Sequence, residues 1–531
     1  MDYQSELLKR RPWIRNYDPD VPYEVRFPRI PIHYILRHQA DCNADRTAIW
    51  YYGNEITFWE LNLTVCRFAN ALLDLGVKKG DRVGLMLPNC PQFVISFYAV
   101  VMIGAIVTNI NPMYTPSEVE FIVNTTEMSA IITVDGVIPT IEAVTEKVEI
   151  PRVIITTVDD FKPDALASSA QSLGLKEDWY NFSELLAKTT STIRPRIDID
   201  IDKDPAIIQF TGGTTGLPKG GVLSHQGVVA ANYVMKNWWN TMMASIPIHR
   251  RSVLCLIPYC HIFGEFCAMG FSVLNGATQI ILPRFEVNEI MDTIAQFDEI
   301  MYLPAVPTML QAIFNHPRAE KLNLAKRFIT FSMGGSPCPP DLEKKLWDLG
   351  VRCTDGYGLT EVAAQATGAT TGMHKMHSVG LPYPNMDFRI IDTATGQQLP
   401  TGGIGEIVIK CPWTMLGYWN NPEATAQQVR DGWVYTGDLG YFDEDGFLFL
   451  VDRSKDMIIA SGYNIYPVEV DGVIASHPKV LDAMCIGIPH EYRGETLKAF
   501  VVLAPGETAT EEEIIAYCRE KTGRLQGAQI D

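Results

Sequence analysis

Apolar and polar positions alternate with two different periods along the first third of the chain. Thr57, with Glu60 three positions on, precedes Leu61, Val65, Phe68 and Leu72, apolar residues on one helical face, and Gly76 supplies a stop. Residues 82–87 then form a short continuous apolar run of the kind a strand covered on both faces requires. The longest apolar stretch, 93–110, approaches membrane-spanning length, but Ser96, Tyr98, Gly104, Thr108 and Asn109 interrupt it and Asn111-Pro112 closes it. It reads as a buried helix running into a buried strand. Thr115 and Glu118 repeat the capping pattern, and 130–134 is a further candidate strand. Helices and strands in alternation predict an α/β fold, an open sheet covered by helices.

Further along, the texture changes. Alternating runs at 388–391 and 406–410 flank a Gly-, Thr- and Pro-rich stretch, and Asp445-Gly446 separates 441–442 from 447–451 as a hairpin turn would. A small β subdomain is expected at about 385–452. Beyond Arg453 the pattern returns to mixed α and β, with a last helix after Thr510-Glu-Glu-Glu513 running through Cys518. The expected division is a large N-terminal domain, 1–452, and a small mobile α+β C-terminal domain, 453–531.

Composition narrows the function. The chain has 531 residues, 47% hydrophobic and 20% charged, which is globular in proportion. Its 44 Lys and Arg against 62 Asp and Glu leave a net charge of −18, which argues against nucleic acid or anionic lipid as a partner. Eleven scattered cysteines with no paired CxxC spacing suit reduced thiols and a cytoplasmic setting. Cys260, His261 and Cys267 come nearest to a metal cluster, but no second ligand pair follows at finger-like spacing. The charged N-terminus lacks the apolar core of a secretory signal.

The chemistry is concentrated in Thr211-Gly-Gly-Thr-Thr-Gly-Leu-Pro-Lys-Gly220. Gly212, Gly213 and Gly216 let backbone N–H groups approach phosphate oxygens, Thr211, Thr214 and Thr215 add hydroxyl donors, and Lys219 adds a mobile positive charge. This is a phosphate cradle, yet not a Walker A loop, because Pro218 stands where that loop needs Gly before Lys.

The segment resembles the signature loop of the adenylate-forming superfamily, which includes acyl-CoA synthetases, luciferases and peptide-synthetase adenylation domains. Further motifs follow in that family's order: Tyr357-Gly-Leu-Thr-Glu361, Tyr435-Thr-Gly-Asp438, Asp452-Arg-Ser-Lys-Asp-Met-Ile-Ile459 and Ser461-Gly-Tyr-Asn-Ile-Tyr-Pro-Val-Glu469. Pro258-Tyr-Cys-His261 and Met333-Gly-Gly-Ser-Pro337 match weaker family motifs. The resemblance implies ATP, Mg²⁺ and coenzyme A as small-molecule partners, and activation of a carboxylic acid as acyl-AMP before transfer to CoA. It implies that Lys219 and the threonines hold the β- and γ-phosphates, that Thr360 donates to the α-phosphate, and that Glu361 binds the metal. Gly334, Gly335 and Ser336 would pass the adenine with Tyr357 stacked on it, Asp438 with Arg453 beside it would hold the ribose, and His261 would lie near the acyl carboxylate. Lys455 falls at the hinge, and Gly462 with Tyr463 at the CoA channel.

Met415-Leu-Gly-Tyr-Trp and the overall spacing look most like medium- and long-chain fatty acyl-CoA synthetases; an aryl or branched acid needs only a different pocket. The family's C-terminal Pro-Lys-Thr-x-x-Gly-Lys setting is not found after Gly523, and Lys521 belongs to the preceding helix. Impaired adenylation is therefore expected, and a non-catalytic nucleotide or acyl-adenylate binder is the alternative. At most a peripheral membrane contact is expected, and a homodimer is compatible with the sequence.

Overall fold

The computed structural model describes residues 3–163, 175–211, 218–336, 338–351, 353–370, 372–453, 458–460, 463–465, 467–490 and 494–522. Two large sheets dominate it. The first has eight strands, in the spatial order Gly417–Tyr418, Lys219–Ser224, Pro205–Thr211, Ile106–Asn109, Arg82–Met86, Ala130–Val134, Val153–Thr156 and Trp179–Asn181. The second has seven, in the order Cys353–Asp355, Phe328–Met333, Ile300–Ala305, Ser252–Cys255, Thr278–Ile281, Thr47–Tyr51 and Asn54–Thr57. Both are parallel through their middles and antiparallel where a hairpin adds an edge, as at Pro205–Thr211 with Lys219–Ser224.

The continuous apolar strands explain the layering. In a strand covered on both sides, successive side chains enter different cores. Ile132 and Ile207 join a central core shared with Tyr51, Val253 and Tyr302 of the second sheet, while Ile131 and Ile208 join an outer cluster. Leu254, Leu303 and Phe331 face a third cluster, on the far side of the second sheet. Between the sheets lie Phe58–Asp74, Pro91–Met102 and His225–Trp238. All twelve residues of Pro91–Met102 are buried, so its lack of an amphipathic stripe reflects its place in the central layer. Both expected capping boxes form, at Thr57 and Thr115.

The expected α/β body thus takes the form of two sheets, because one apolar helical layer serves both. A third, five-stranded antiparallel sheet is built from Asp387–Ile391, Gly405–Lys410, Val429–Arg430, Trp433–Phe442 and Leu448–Arg453, with Gly446 at φ +81° in the hairpin. A four-stranded sheet with the helices Pro467–Ala475 and Glu511–Thr522 has a core of its own around Val470, Ile474, Ile514 and Cys518. No helix among the described residues is long and apolar enough to cross a membrane.

Candidate active site

Lys219 opens the strand that returns from the phosphate loop, and it pairs with Thr211 at the end of the outgoing strand. The Thr211 hydroxyl donates to the Lys219 carbonyl at 3.3 Å, closing the base of the loop, and the Lys219 side chain is exposed. Its ammonium lies 5.3 Å from the centre of the Tyr418 ring. Tyr418 in turn donates its hydroxyl to Glu361 at 2.5 Å. Burial and this carboxylate push the Tyr418 phenol far above its ordinary range, so at neutral pH it is a permanent donor.

Glu361 is buried on the short turn Thr360–Val362, which the segment 413–419 stitches to the Lys219 strand. Trp413 Nε1 donates to the Val362 carbonyl at 3.1 Å, Met415 N to Glu361 O at 2.9 Å and Trp419 N to Gly220 O at 2.7 Å. Gly221 packs closely here, since a Cβ on it would lie 3.0 Å from the Thr360 methyl group.

A second part of the candidate site forms at the carboxyl ends of two parallel strands, where ligands of open α/β sheets bind. Met333 pairs with Asp355, so Gly334 and Gly335 run beside Gly356 and Tyr357, with Gly356 N donating to Met333 O at 2.9 Å. Gly335 has φ +82° and, with Ser336, is exposed. The buried Tyr357 donates its hydroxyl to Asp438 at 2.5 Å, and its phenol is held well above its ordinary range by burial first and by Asp438 next. One oxygen of the expected ribose ligand is therefore already engaged. Asp438 is half-buried on Trp433–Phe442, its N–H bonded to Thr436 Oγ1 at 3.1 Å, and in backbone register with Arg453.

His261 is exposed at a turn whose Phe263 N–H donates to His261 Nδ1 at 3.2 Å. Loss of solvation lowers its pKa. A Cβ placed on Gly334 would lie 3.6 Å from the Phe263 ring, so this turn borders the adenine-side loop. Gln209, two positions before Thr211, donates to Cys260 O at 3.2 Å and ties the turn back to the phosphate strand.

Contacts thus link Lys219 to Glu361 through Tyr418, Thr360 to the Lys219 strand at Gly221, Tyr357 to Asp438, and the His261 turn to Gly334 and to Gln209. Gly212, Gly213, Thr214, Thr215, Gly216, Lys455 and Gly462 lie outside the described residues. Tyr463 belongs to Tyr463–Ile465, in the four-stranded sheet. Sequence reasoning did not single out Tyr418 or Gln209. Tyr418 sits inside the quoted Met415-Leu-Gly-Tyr run, but nothing local says that its hydroxyl meets Glu361, 57 residues away.

Among the described residues no three His, Cys, Asp or Glu side chains are arranged to hold a metal ion by themselves. Glu361 offers one hard oxygen beside a phosphate loop, which suits an Mg²⁺ that shares its coordination with nucleotide phosphates.

Residues 469–528 match the AMP-binding enzyme C-terminal domain. A long-chain-fatty-acid–CoA ligase of Bacillus subtilis (strain 168) is 36% identical over 527 residues, covering 97% of this chain and 93% of the relative. A probable 4-coumarate–CoA ligase 1 of Dictyostelium discoideum is 33% identical, covering 86% of this chain and 83% of the relative. The ATP-bound MatB from Rhodopseudomonas palustris superposes with a TM-score of 0.80 at 27% identity, covering 94% of this chain and 93% of that one. Residues 36–419, more than half of the chain, match the AMP-binding enzyme family, and the chain belongs to that family.

Proposed function

We propose that the protein is an ATP-dependent acyl-CoA synthetase acting on a medium- or long-chain fatty acid. The observation that carries this is the set of contacts joining Lys219 to Glu361 through Tyr418 and Tyr357 to Asp438, with the Glu361 charge acting on Tyr357. A carboxylate oxygen of the acid attacks the α-phosphorus of ATP and expels pyrophosphate; the CoA thiolate then attacks the acyl carbonyl and expels AMP. Two anions must meet in the first step, so the site needs fixed positive charge and alignment rather than a nucleophilic side chain. Lys219 holds the outer phosphates, Thr360 donates to the α-phosphate, and Asp438 accepts from the ribose diol. Mg²⁺ held by Glu361 neutralises phosphate charge. His261 orients the acyl carboxylate. The fatty acid is supported by the likeness to the long-chain-fatty-acid–CoA ligase of Bacillus subtilis, against which the likeness to the probable 4-coumarate–CoA ligase stands as the aryl alternative.

On this reading residues 453–531 swing as a lid about Lys455, and Gly462 and Tyr463 line the CoA channel in the second pose. Thiols unlinked by disulfides among the described cysteines fit a cytoplasmic enzyme. ATP–pyrophosphate exchange with a panel of fatty and aryl acids tests the function and ranks the substrates. ATP binding without acid-dependent exchange, and without thioester from supplied acyl-AMP and CoA, would point to a non-catalytic binder.

A further inference from the structure

Behind the His261 turn lies a buried polar chain that the proposed mechanism does not use. Glu265 is 2% exposed and sits on a π-helical stretch, Gly264–Gly270, a rare geometry that recurs at functional sites. The Asn109 amide donates to Glu265 Oε2 and, at 3.0 Å, to Gln209 Oε1; Gln209 donates to the Cys260 carbonyl. Glu265 N also donates to the His261 carbonyl at 2.9 Å, so both flanks of His261 are held. Gly264 makes the turn compact, since a Cβ there would fall 2.2 Å from the Pro258 carbonyl oxygen.

Two atoms in this chain are left over. Glu265 Oε1 and Asn109 Oδ1 are both buried without a hydrogen-bond partner. If Glu265 is ionised, both are acceptors and neither has a donor, an expensive arrangement. A proton on Oε1 turns one of the two leftover acceptors into a donor, in a pair whose other bond, Asn109 Nδ2 to Glu265 Oε2, is already formed. We propose that Glu265 is a positioning residue that works as a neutral acid, pairing with Asn109 to fix the His261 turn against the root of the phosphate loop.

The surroundings agree. Among the described residues the titratable groups that act on or are acted on by Glu265 are Tyr98 of the central helix and Cys260 of the turn, and it makes no ion pair. Burial pushes its carboxyl up to about 8. The consequence for the reaction rests on the reading that His261 orients the acyl carboxylate: ionising Glu265 loosens the turn and weakens acid binding, with ATP binding unaffected.

The test compares wild type, Glu265→Gln and Glu265→Leu by measuring KM for the acid and for ATP from about pH 7 to about 9.5. We expect the wild-type acid KM to rise above about pH 8 and the Gln variant, which keeps an uncharged donor, to stay level. The Leu variant raises acid KM about tenfold at every pH with ATP KM unchanged. An identical alkaline rise in the Gln variant, or an unchanged acid KM in the Leu variant, overturns the proposal. A second arm needs no turnover. A raised carboxyl pKa stabilises the fold fully below about pH 4.5 and loses that contribution as pH rises through about 8, so wild-type Tm should fall relative to Glu265→Gln across that window and then run parallel. Parallel curves throughout overturn the neutral acid. If His261→Ala leaves acid KM unchanged, or if no form turns over any acid, the functional reading has failed, and Glu265 is judged on the thermal arm.

Discussion

At the scale of single residues, the cleft is organised by side chains that hold other side chains. Tyr418 donates to the carboxylate expected to carry Mg²⁺ and lies under the Lys219 ammonium. Outer partners of a metal ligand typically contribute about tenfold to a hundredfold to metal affinity. Tyr418→Phe should therefore raise the Mg²⁺ concentration for half-maximal pyrophosphate exchange at least about tenfold, with little change in acid KM. Asp438 gives a second check. If its remaining acceptor capacity reads the ribose hydroxyls, wild type should bind ATP more tightly than 2′-deoxy-ATP, and Asp438→Ala should bind the two alike. Persistent discrimination in that variant would place ribose recognition elsewhere. None of these pairings was visible in the motifs, since Tyr357 and Asp438 are 81 residues apart.

At the scale of elements, the turn between Tyr357 and Thr360 is the most tightly drawn. A Cβ on Gly358 would lie 1.6 Å from the Ala364 carbonyl oxygen, so the backbone itself must move if one is added. Gly358→Ala is expected to displace both Tyr357 and Thr360 and to weaken ATP binding by at least about tenfold, read by calorimetric titration. Unaltered affinity would show that the turn tolerates displacement. The elements around it were well marked in the chain. Capping boxes at Thr57 and Thr115 and the strands at 82–86 and 130–134 appear where local patterning put them, because such signals act over three or four residues. The π-helical stretch at Gly264 was not marked, since it depends on the fit of its turn against Pro258.

At the scale of the whole molecule, the two-sheet body buries titratable groups far from the cleft. His33 and His225 are both buried, each with a ring nitrogen that has no partner. Burial lowers His33 to about 3, with His225, Arg194 and Arg37 adding to the effect, and lowers His225 to about 4 against the pull of Asp204. The unfolded chain binds these protons near pH 6.5, so the contribution is fully present above that value and is lost as pH falls toward 4. Glu265 titrates in the opposite sense, and the histidine effect is best isolated against a variant. Relative to His225→Gln, wild type should lose about 2 kcal/mol of unfolding free energy between about pH 6.5 and 5, measured by urea denaturation. Equal pH dependence in the two forms would show that His225 is not held neutral.

By itself the sequence determined the α/β class, the capped helices and the place of the β-rich region. Each of these depends on neighbours in the chain or on the backbone freedom of particular glycines. The tertiary structure alone decided that one apolar layer serves two sheets, that Glu361 and Asp438 are held by Tyr418 and Tyr357, and that Glu265 lies unpaired by any cation behind His261. These are contacts between residues tens to hundreds of positions apart, and no local pattern encodes which distant side chain will complete a hydrogen bond.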